Sequence, residues 1–289
     1  MQCLIDRFFR DRLEIDFEKG KTFRRSGETE LSSVAGFQNP FEIVRSKDAA
    51  TLPKIMKRII AQIPNSITCL NLLSGCIAII FAFKAMDPIA GLYGWQWCAI
   101  AIGAAAVFDF CDGACARLLK AYSNIGAELD SLSDLISFGV APAMMMLNIC
   151  LHYAPDSPLC YAALAIPVFG ALRLARFNVS DVGKTTFRGL PIPANAIFWI
   201  GVAGWIDQYQ RLPGGPVALA VLFVLFGLTM VSHIPMFSLK FKNFALAENF
   251  RRYVIILATI AFVITYGVSG LAWSIILYLM ISLLARKGQ

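Results

Sequence analysis

The stretch FDFCDGACARLLKAYSNIGAELDSLSDLISFG, residues 108–139, carries most of the functional information in this chain. It places Asp109, Asp112, Asp130 and Asp134 within 26 residues, and apolar residues flank them on both sides. A carboxylate beside hydrocarbon is costly unless a partner compensates its charge, so four of them together indicate a functional site. Four carboxylates on solvated helix faces would instead need polar surroundings, which the neighbouring Leu, Ile, Val and Phe residues do not provide.

The spacing of these aspartates predicts two metal-binding helix faces. A helix advances by about 100° per residue, which places Asp109 and Asp112 on one face and Asp130 and Asp134 on one face of the next helix. If the two faces meet, they form an oxygen-lined pocket with room for two Mg²⁺ or Mn²⁺ ions. Such a pair suits a diphosphate, because two cations neutralise it and stabilise the attacking and leaving oxygens of a displacement.

Three further residues of this stretch indicate a ligand that contains phosphate. Gly113 and Gly126 leave out a side chain where a ligand or the facing helix must come close. Arg117 lies one turn beyond the aspartates and can make a bidentate contact to a phosphate. Alternatively, Arg117 only extends its charged end to the membrane interface.

The composition predicts an all-α integral membrane protein. Of the 289 residues, 57% are hydrophobic and 16% are charged, whereas soluble domains carry about 25% charged residues. The mean hydropathy is +0.64 and the net charge is +7. We expect no nucleic-acid partner, because no basic run is interleaved with aromatic residues.

Hydrophobic stretches predict about eight transmembrane helices, each of which needs about 20 residues. They cover approximately residues 66–85, 91–118, 126–151, 158–177, 192–206, 216–234, 253–267 and 271–285. Before the first of them, Lys54–Ile63 predicts a basic amphipathic helix on the membrane surface. Pro64 and Asn65 are expected to turn the chain from this surface helix into the bilayer.

The distribution of basic residues predicts the orientation. If the N-terminus is cytoplasmic, the cytoplasmic ends hold fourteen of the sixteen Lys and Arg residues after residue 54. Only Lys84 and Arg211 then lie on the other side. This asymmetry follows the positive-inside rule and predicts an even number of spans in the cytoplasmic (inner) membrane. It also places the aspartates at the cytoplasmic face.

The segments outside the membrane core carry fewer signals. Residues 1–54 have no sustained apolar period, and we expect no cleavable signal peptide there. They form either a poorly ordered, dispensable extension or the product of a start codon chosen too early. The core is expected at 55–235, followed by a cytoplasmic loop and a C-terminal helical pair at 236–289. Six cysteines lie in apolar stretches, where we expect small hydrophobes and neither a disulfide nor a zinc site. These are Cys69, Cys76, Cys98, Cys111, Cys115 and Cys150.

The same stretch resembles a known family. Its pattern Asp109-x2-Asp112-Gly113-x2-Ala116-Arg117-x8-Gly126-x3-Asp130-x3-Asp134 matches every position of the CDP-alcohol phosphotransferase signature. The resemblance covers roughly residues 55–235. It implies a six-helix membrane core with an active site that faces the cytoplasm, usually in a homodimer.

This resemblance also implies roles for individual residues. Asp109, Asp112 and Asp130 would bind two divalent cations, Mg²⁺ or Mn²⁺. Asp134 would be a further ligand and the general base that deprotonates the acceptor hydroxyl, and we expect both Asp130 and Asp134 to be essential for turnover. The residues implied on the nucleotide side are Pro64, Asn65, Thr68, Gly113, Arg117 and Gly126.

Three more stretches resemble the phosphatidylserine synthase branch of that family: residues 63–75 (IPNSITCLNLLSG), 172–179 (LRLARFNV) and 187–194 (FRGLPIPA). Phosphatidylglycerophosphate synthases usually have an arginine at the position that Asn71 occupies here. The resemblance implies transfer of the phosphatidyl group from CDP-diacylglycerol to the hydroxyl of L-serine, which gives phosphatidylserine and CMP. The third stretch is expected to re-enter the membrane as a rigid segment and to cover the substrate pocket, because Pro191 and Pro193 fix φ.

Candidate acceptor-binding residues lie near the cytoplasmic end of the fourth predicted span. Arg173 and Arg176 are charged residues next to hydrocarbon, where an unpaired charge is costly, so a functional role is expected. They can orient the carboxylate of serine. Asn178 can accept a hydrogen bond from its ammonium group. With glycerol 3-phosphate or inositol phosphate as acceptor, the same arginines would bind a phosphate, and either of them can simply anchor the helix at the interface.

A cation transporter is the alternative from another functional class, because intramembrane carboxylates also carry ions. Transporters more often have inverted repeats and helices broken in mid-membrane. The sequence contains no such repeat, and its aspartates lie at the membrane edge. These features favour an enzyme.

Overall fold

The computed structural model describes residues 54–121, 123–179, 189–232, 234, 236 and 246–285. The predictions for residues 1–53 and for the loop 237–245 lie outside these ranges, so the proposed N-terminal extension and the cytoplasmic loop stay predictions. The boundaries predicted at residues 54/55 and 235/236 are equally untested.

Helices form almost all of the described structure, which confirms the all-α class. Over the described ranges alone, the α-helices are α1 Lys54–Ala82, α2 Gly94–Leu119, α3 Asn124–Asp134, α4 Ala141–Tyr153, α5 Ala165–Val179, α6 Ile192–Tyr209, α7 Gly215–Val231, α8 Leu246–Tyr266 and α9 Gly270–Ala285. A π-helix, Leu135–Val140, joins α3 to α4, and 3₁₀-helices occupy Pro158–Leu164 and Gly267–Ser269.

The chain between α1 and α2 forms a short hairpin. Strand β1 (Pro88–Ile89) pairs antiparallel with strand β2 (Leu92–Tyr93). The two residues between them, Ala90 and Gly91, have positive φ values of 47° and 87°, as the common two-residue hairpin turn requires. This tight connection places α1 and α2 side by side.

Several helices are long and apolar enough to cross a membrane, which confirms a multi-pass membrane protein. Within the described ranges there are five such stretches: Gln62–Ala82, Gly94–Leu119, Asn124–Tyr153, Pro158–Val179 and Asn249–Leu284. The last stretch contains both α8 and α9, and the shorter helix α7 is also apolar. The total of eight spans therefore stays a prediction.

Helix α1 corrects one prediction. It runs without interruption from Lys54 to Ala82 and includes Pro64, so the turn expected at Pro64–Asn65 is wrong. Residues 54–63 are helical, and their location on the membrane surface stays a prediction. Proline removes one backbone hydrogen bond, but side-chain hydroxyls compensate freed backbone groups in membrane helices. The hydroxyl of Thr68 adds one hydrogen bond directly after the proline, to the carbonyl of Pro64 at 3.0 Å.

The C-terminal pair packs on the rest of the fold through α6. A Cβ added at Gly201 of α6 would lie 2.9 Å from the Cα of Ala272 in α9. Opposite this contact, Trp199 is fully buried and its ring lies 4.6 Å from that of Phe223 in α7. Helix α9 is therefore part of the same packed body as α6 and α7.

One pair of cysteines corrects the expectation of small hydrophobes. Cys150, near the end of α4, forms a disulfide with Cys160, and their Cα atoms are 5.5 Å apart. The chain reverses direction between α4 and the 3₁₀-helix Pro158–Leu164, and this reversal brings the two thiols together. The sequence did not indicate the pairing, because Cys150 taken alone lies in an apolar helix.

Candidate active site

The aspartates converge from two helices, as the spacing predicts. Asp109 and Asp112 lie on the last turns of α2, and Asp130 lies on α3. Ligand atoms from these three carboxylates all lie within 4.8 Å of one another. Because like charges so close together repel strongly, the arrangement needs a compensating cation or shared protons.

Asp134 lies beside this group of three. It interacts electrostatically with Asp109 and Asp130. The side-chain amide of Asn71, on α1, donates a long hydrogen bond of 3.5 Å to its Oδ1. Asp134 is thus at the edge of the cluster, one helical turn beyond Asp130.

Two of these carboxylates have an oxygen that the described part of the chain leaves without a partner. The Oδ2 of Asp112 and the Oδ1 of Asp130 are buried and have no hydrogen-bond partner among the described residues. Buried polar atoms of this kind are rare in native proteins and call for an explanation. Hard divalent cations bind such oxygens, so the donor set fits Mg²⁺ or Mn²⁺.

A cleft of about 260 Å³ adjoins the carboxylates and is formed by α1, α2 and α3. Water needs only about 10–15 Å³ on the same measure, so the cleft admits a much larger ligand. Its lining includes Asp112 and Asp130. It also includes all six residues implied on the nucleotide side: Pro64, Asn65, Thr68, Gly113, Arg117 and Gly126.

The two glycines in this lining have different surroundings. A Cβ at Gly126 would lie 2.8 Å from the Oδ1 of Asn65 and 2.9 Å from the Oγ of Ser123. Gly126 therefore permits α3 to approach α1, and its N–H is capped by Ser123 at 2.9 Å. A Cβ at Gly113 would meet only the guanidinium of Arg117, at 3.8 Å. The space over Gly113 is open to the cleft.

The three candidate acceptor residues have different environments. Arg173 is partly buried on α5, and the charges that act on it include those of Asp134 and Tyr278. Arg176 is exposed and donates to the carbonyl of Val231 at 3.2 Å. Asn178 donates to the hydroxyl of Ser131 at 3.0 Å. Arg173 is the least exposed of the three.

The predicted re-entry segment begins outside the described residues and is described from Gly189 onwards. Gly189 has a φ of +73°, and its N–H donates to the carbonyl of Ile234 at 2.9 Å. A Cβ there would lie 3.1 Å from the carbonyl oxygen of Ser232. The N–H of Leu190 donates to Thr229 at 3.1 Å. These bonds fix the start of α6 against the end of α7.

Two residues near the site were not among the predicted site residues. In the sequence, Asn71 is distinguished only by the arginine that phosphatidylglycerophosphate synthases usually have there, and Tyr278 lies on α9, far from the motif. Tyr278 is 6% exposed and interacts electrostatically with Arg173. No local spacing connects either residue with the aspartates, since both reach the site through helix packing.

A comparison with known protein families identifies the chain. The model of the CDP-alcohol phosphatidyltransferase family matches residues 61–239. This match covers more than half of the chain and includes every residue of the cleft. The chain belongs to this family. Helices α8 and α9 lie after the matched region, so Tyr278 is an addition to the part that the family model covers.

Curated family members that resemble the chain are named CDP-diacylglycerol--serine O-phosphatidyltransferase. The protein of Methanocaldococcus jannaschii is 35% identical over 177 residues, which cover 61% of this chain and 74% of the relative. That of Helicobacter pylori is 31% identical over 221 residues, or 75% of this chain and 87% of the relative. That of Bacillus subtilis is 37% identical over 144 residues, or 49% and 73% of the two chains.

Proposed function

We propose that this protein transfers the phosphatidyl group of CDP-diacylglycerol to the hydroxyl of L-serine and releases CMP. The main support is the convergence of three carboxylates, with ligand atoms within 4.8 Å of one another, beside a cleft that contains the six nucleotide-side residues. The family match supplies the reaction class. The names of the relatives supply serine as the acceptor.

Asp109, Asp112 and Asp130 would hold divalent cations, with Asp134 as a further ligand. The two unsatisfied buried oxygens of Asp112 and Asp130 support this assignment. When bound, two Mg²⁺ or Mn²⁺ ions would neutralise the diphosphate and stabilise the charge that develops during an in-line displacement.

The residues of the cleft would orient the nucleotide. Gly113 leaves open space in which the diphosphate can approach the backbone of α2. Arg117 lines the same cleft and can make a bidentate contact to a phosphate. Asn65 and Thr68 contribute polar groups from α1. This arrangement holds the diphosphate next to the carboxylates, where the reaction takes place.

Asp134 would act as the general base. It would take the proton of the serine hydroxyl while the serine oxygen forms a bond to the β-phosphorus. The bond between that phosphorus and the bridging oxygen breaks, and CMP leaves with the bonding electrons. Phosphatidylserine, the other product, remains in the bilayer.

Arg173 is the best-placed residue for the carboxylate of serine. It interacts with Asp134, so a carboxylate bound to its guanidinium would place the serine hydroxyl near the base. Its Nε is buried and has no hydrogen-bond partner among the residues that the structure describes. Asn178 and Arg176 would act at the rim, because both are exposed and already donate to protein groups.

The active site would face the cytoplasm of an inner-membrane protein. The distribution of Lys and Arg supports this orientation. The disulfide adds support that does not depend on charge. Cys150 follows Asp134 by sixteen residues along an almost continuous helix, which corresponds to about 24 Å. The disulfide therefore lies near the opposite membrane surface, and disulfides persist in oxidising compartments outside the cytoplasm.

The remaining architectural proposals come from the sequence. We propose eight spans around a six-helix core, and α8 and α9 would be the seventh and eighth. We also propose a homodimer, which is an expectation from the family resemblance.

The acceptor is tested with purified protein and CDP-diacylglycerol. Labelled serine, glycerol 3-phosphate and inositol phosphate are supplied in parallel reactions, and the lipid product of each is identified. We expect phosphatidylserine and CMP in equal amounts. A different lipid product would retain the reaction class but contradict serine as the acceptor.

A further inference from the structure

A buried polar contact behind Asp134 connects α1 to the π-helix. The side chain of Asn71 is 0% exposed, and so is that of Ser137. The hydroxyl of Ser137 lies 2.8 Å from the Oδ1 of Asn71 and 3.0 Å from its backbone carbonyl oxygen. The amide nitrogen of Asn71 lies 3.5 Å from the Oδ1 of Asp134. Ser137, Asn71 and Asp134 thus form a continuous series of polar contacts between α1 and the helical segment that contains Asp134 and Ser137.

The chemistry of these groups fixes the orientation of the amide. A carboxylate only accepts hydrogen bonds, so the NH₂ group of Asn71 must be turned toward Asp134. In this orientation the single hydroxyl hydrogen of Ser137 can be donated to the Oδ1 of Asn71 or to its backbone carbonyl. At 3.5 Å the contact to Asp134 is at the long end of hydrogen-bond distances.

The backbone around Ser137 brings its hydroxyl close to α1. Ser137 belongs to the π-helix Leu135–Val140, which begins directly after Asp134, and π-helical segments are frequent at functional sites. Opposite lies Gly75, one turn after Asn71 on α1. A Cβ at Gly75 would lie 2.9 Å from the Cα of Ser137. Only glycine lets the hydroxyl come this close to α1.

We propose that Asn71 and Ser137 are positioning residues that hold the carboxylate of Asp134 toward the acceptor hydroxyl. The proposal rests on the assignment of Asp134 as the base of the proposed reaction. Neither residue lines the nucleotide cleft. Their loss should therefore slow the chemical step and leave CDP-diacylglycerol binding unchanged.

The fold also offers a matched control. Ser133 is 0% exposed, like Ser137, and its hydroxyl likewise donates to a carbonyl of α1, that of Thr68 at 3.3 Å. Ser133→Ala removes the same atoms from the same helix contact without removing the hydroxyl that faces Asn71. A purely structural role predicts similar effects for both serines. A positioning role predicts a kinetic effect at Ser137 alone.

The test compares kcat, both KM values, CDP-diacylglycerol affinity and thermal unfolding for Asn71→Ala, Ser137→Ala, the double variant and Ser133→Ala. Misplacement of a reacting group by about 1 Å can cost about 100-fold in rate. We expect kcat to fall about 10-fold to 100-fold in Asn71→Ala and Ser137→Ala, with unchanged CDP-diacylglycerol affinity. The double variant should be no slower than the slower single variant, and Ser133→Ala should keep its kcat.

Several outcomes would overturn the proposal. One is a kcat within twofold of wild type in Asn71→Ala, and another is an equal loss in Ser133→Ala and Ser137→Ala. A loss of CDP-diacylglycerol affinity that parallels the loss of kcat would also contradict it. Gly75→Ala is an independent variant, because it displaces Ser137 without removing a polar group and should lower kcat in the same way. Failure of the proposed function is recognised separately, since the wild-type protein would then make no phosphatidylserine in the same assay.

Discussion

The variant Gly113→Ala should have opposite effects on protein stability and on CDP-diacylglycerol binding. Gly113 lies inside α2, and a Cβ there would meet only the guanidinium of Arg117, at 3.8 Å. Replacing a helical glycine by alanine stabilises a protein by about 0.5–1 kcal/mol. The methyl group, however, would occupy the cleft where the diphosphate approaches α2. We therefore expect a variant that is at least as stable as wild type and binds CDP-diacylglycerol more weakly.

The size of the effect follows from the crowding that the methyl group introduces. An extra methyl group in a well-packed site costs about 1–3 kcal/mol, which corresponds to about 5-fold to 150-fold in affinity. Gly103→Ala is the control, because Gly103 lies on the same helix and a Cβ there meets nothing within 4 Å. Thermal unfolding and the KM for CDP-diacylglycerol are measured for both variants. Equal KM values in the two would refute a close approach of the ligand to Gly113.

Three further predictions concern the base, the acceptor and the disulfide. Asp134→Asn should reduce turnover by at least 100-fold, because the amide cannot accept the hydroxyl proton. A rate above a tenth of wild type would argue against a base at this position. Arg173→Lys should raise the KM for serine about 10-fold and leave that for CDP-diacylglycerol unchanged, because lysine cannot make the bidentate carboxylate contact; equal changes in both constants would argue against an acceptor role. Cys160→Ser should lower the free energy of unfolding by about 2–4 kcal/mol without changing kcat. In a thiol assay of the denatured, unreduced protein, Cys150 should react in the variant and not in wild type. Reactive thiols at both positions in the wild-type protein would contradict the disulfide and the support that it gives to the orientation.

Local patterns predicted the elements of the site because the motif lies on two consecutive helices. The spacing of Asp109 and Asp112 on one helix and of Asp130 on the next is enough to place three carboxylates together once the helices are antiparallel. The same spacing does not show that Asp134 lies at the edge of this group, because that depends on how α3 packs against the neighbouring helices.

Features that depend on packing between distant segments could not be predicted in this way. Asn71 and Ser137 are 66 positions apart, and their contact requires the close approach of α1 and the π-helix. The disulfide depends on the chain reversal that follows Cys150. The turn predicted at Pro64 is wrong, because a membrane helix can continue through a proline. Local sequence patterns indicate the secondary structure of a segment, whereas these features depend on which other segment packs against it.

Binding of Mn²⁺ tests the central claim most directly, because the proposed reaction depends on carboxylates that share cations. Mn²⁺ is titrated against the purified protein in the presence of CDP-diacylglycerol and followed by electron paramagnetic resonance, with turnover measured on the same samples. The proposal predicts saturable binding by the wild-type protein, loss of both binding and turnover in Asp109→Asn, and loss of turnover in wild type after chelation. Full turnover in the presence of a chelator, or undiminished Mn²⁺ binding by Asp109→Asn, would contradict it.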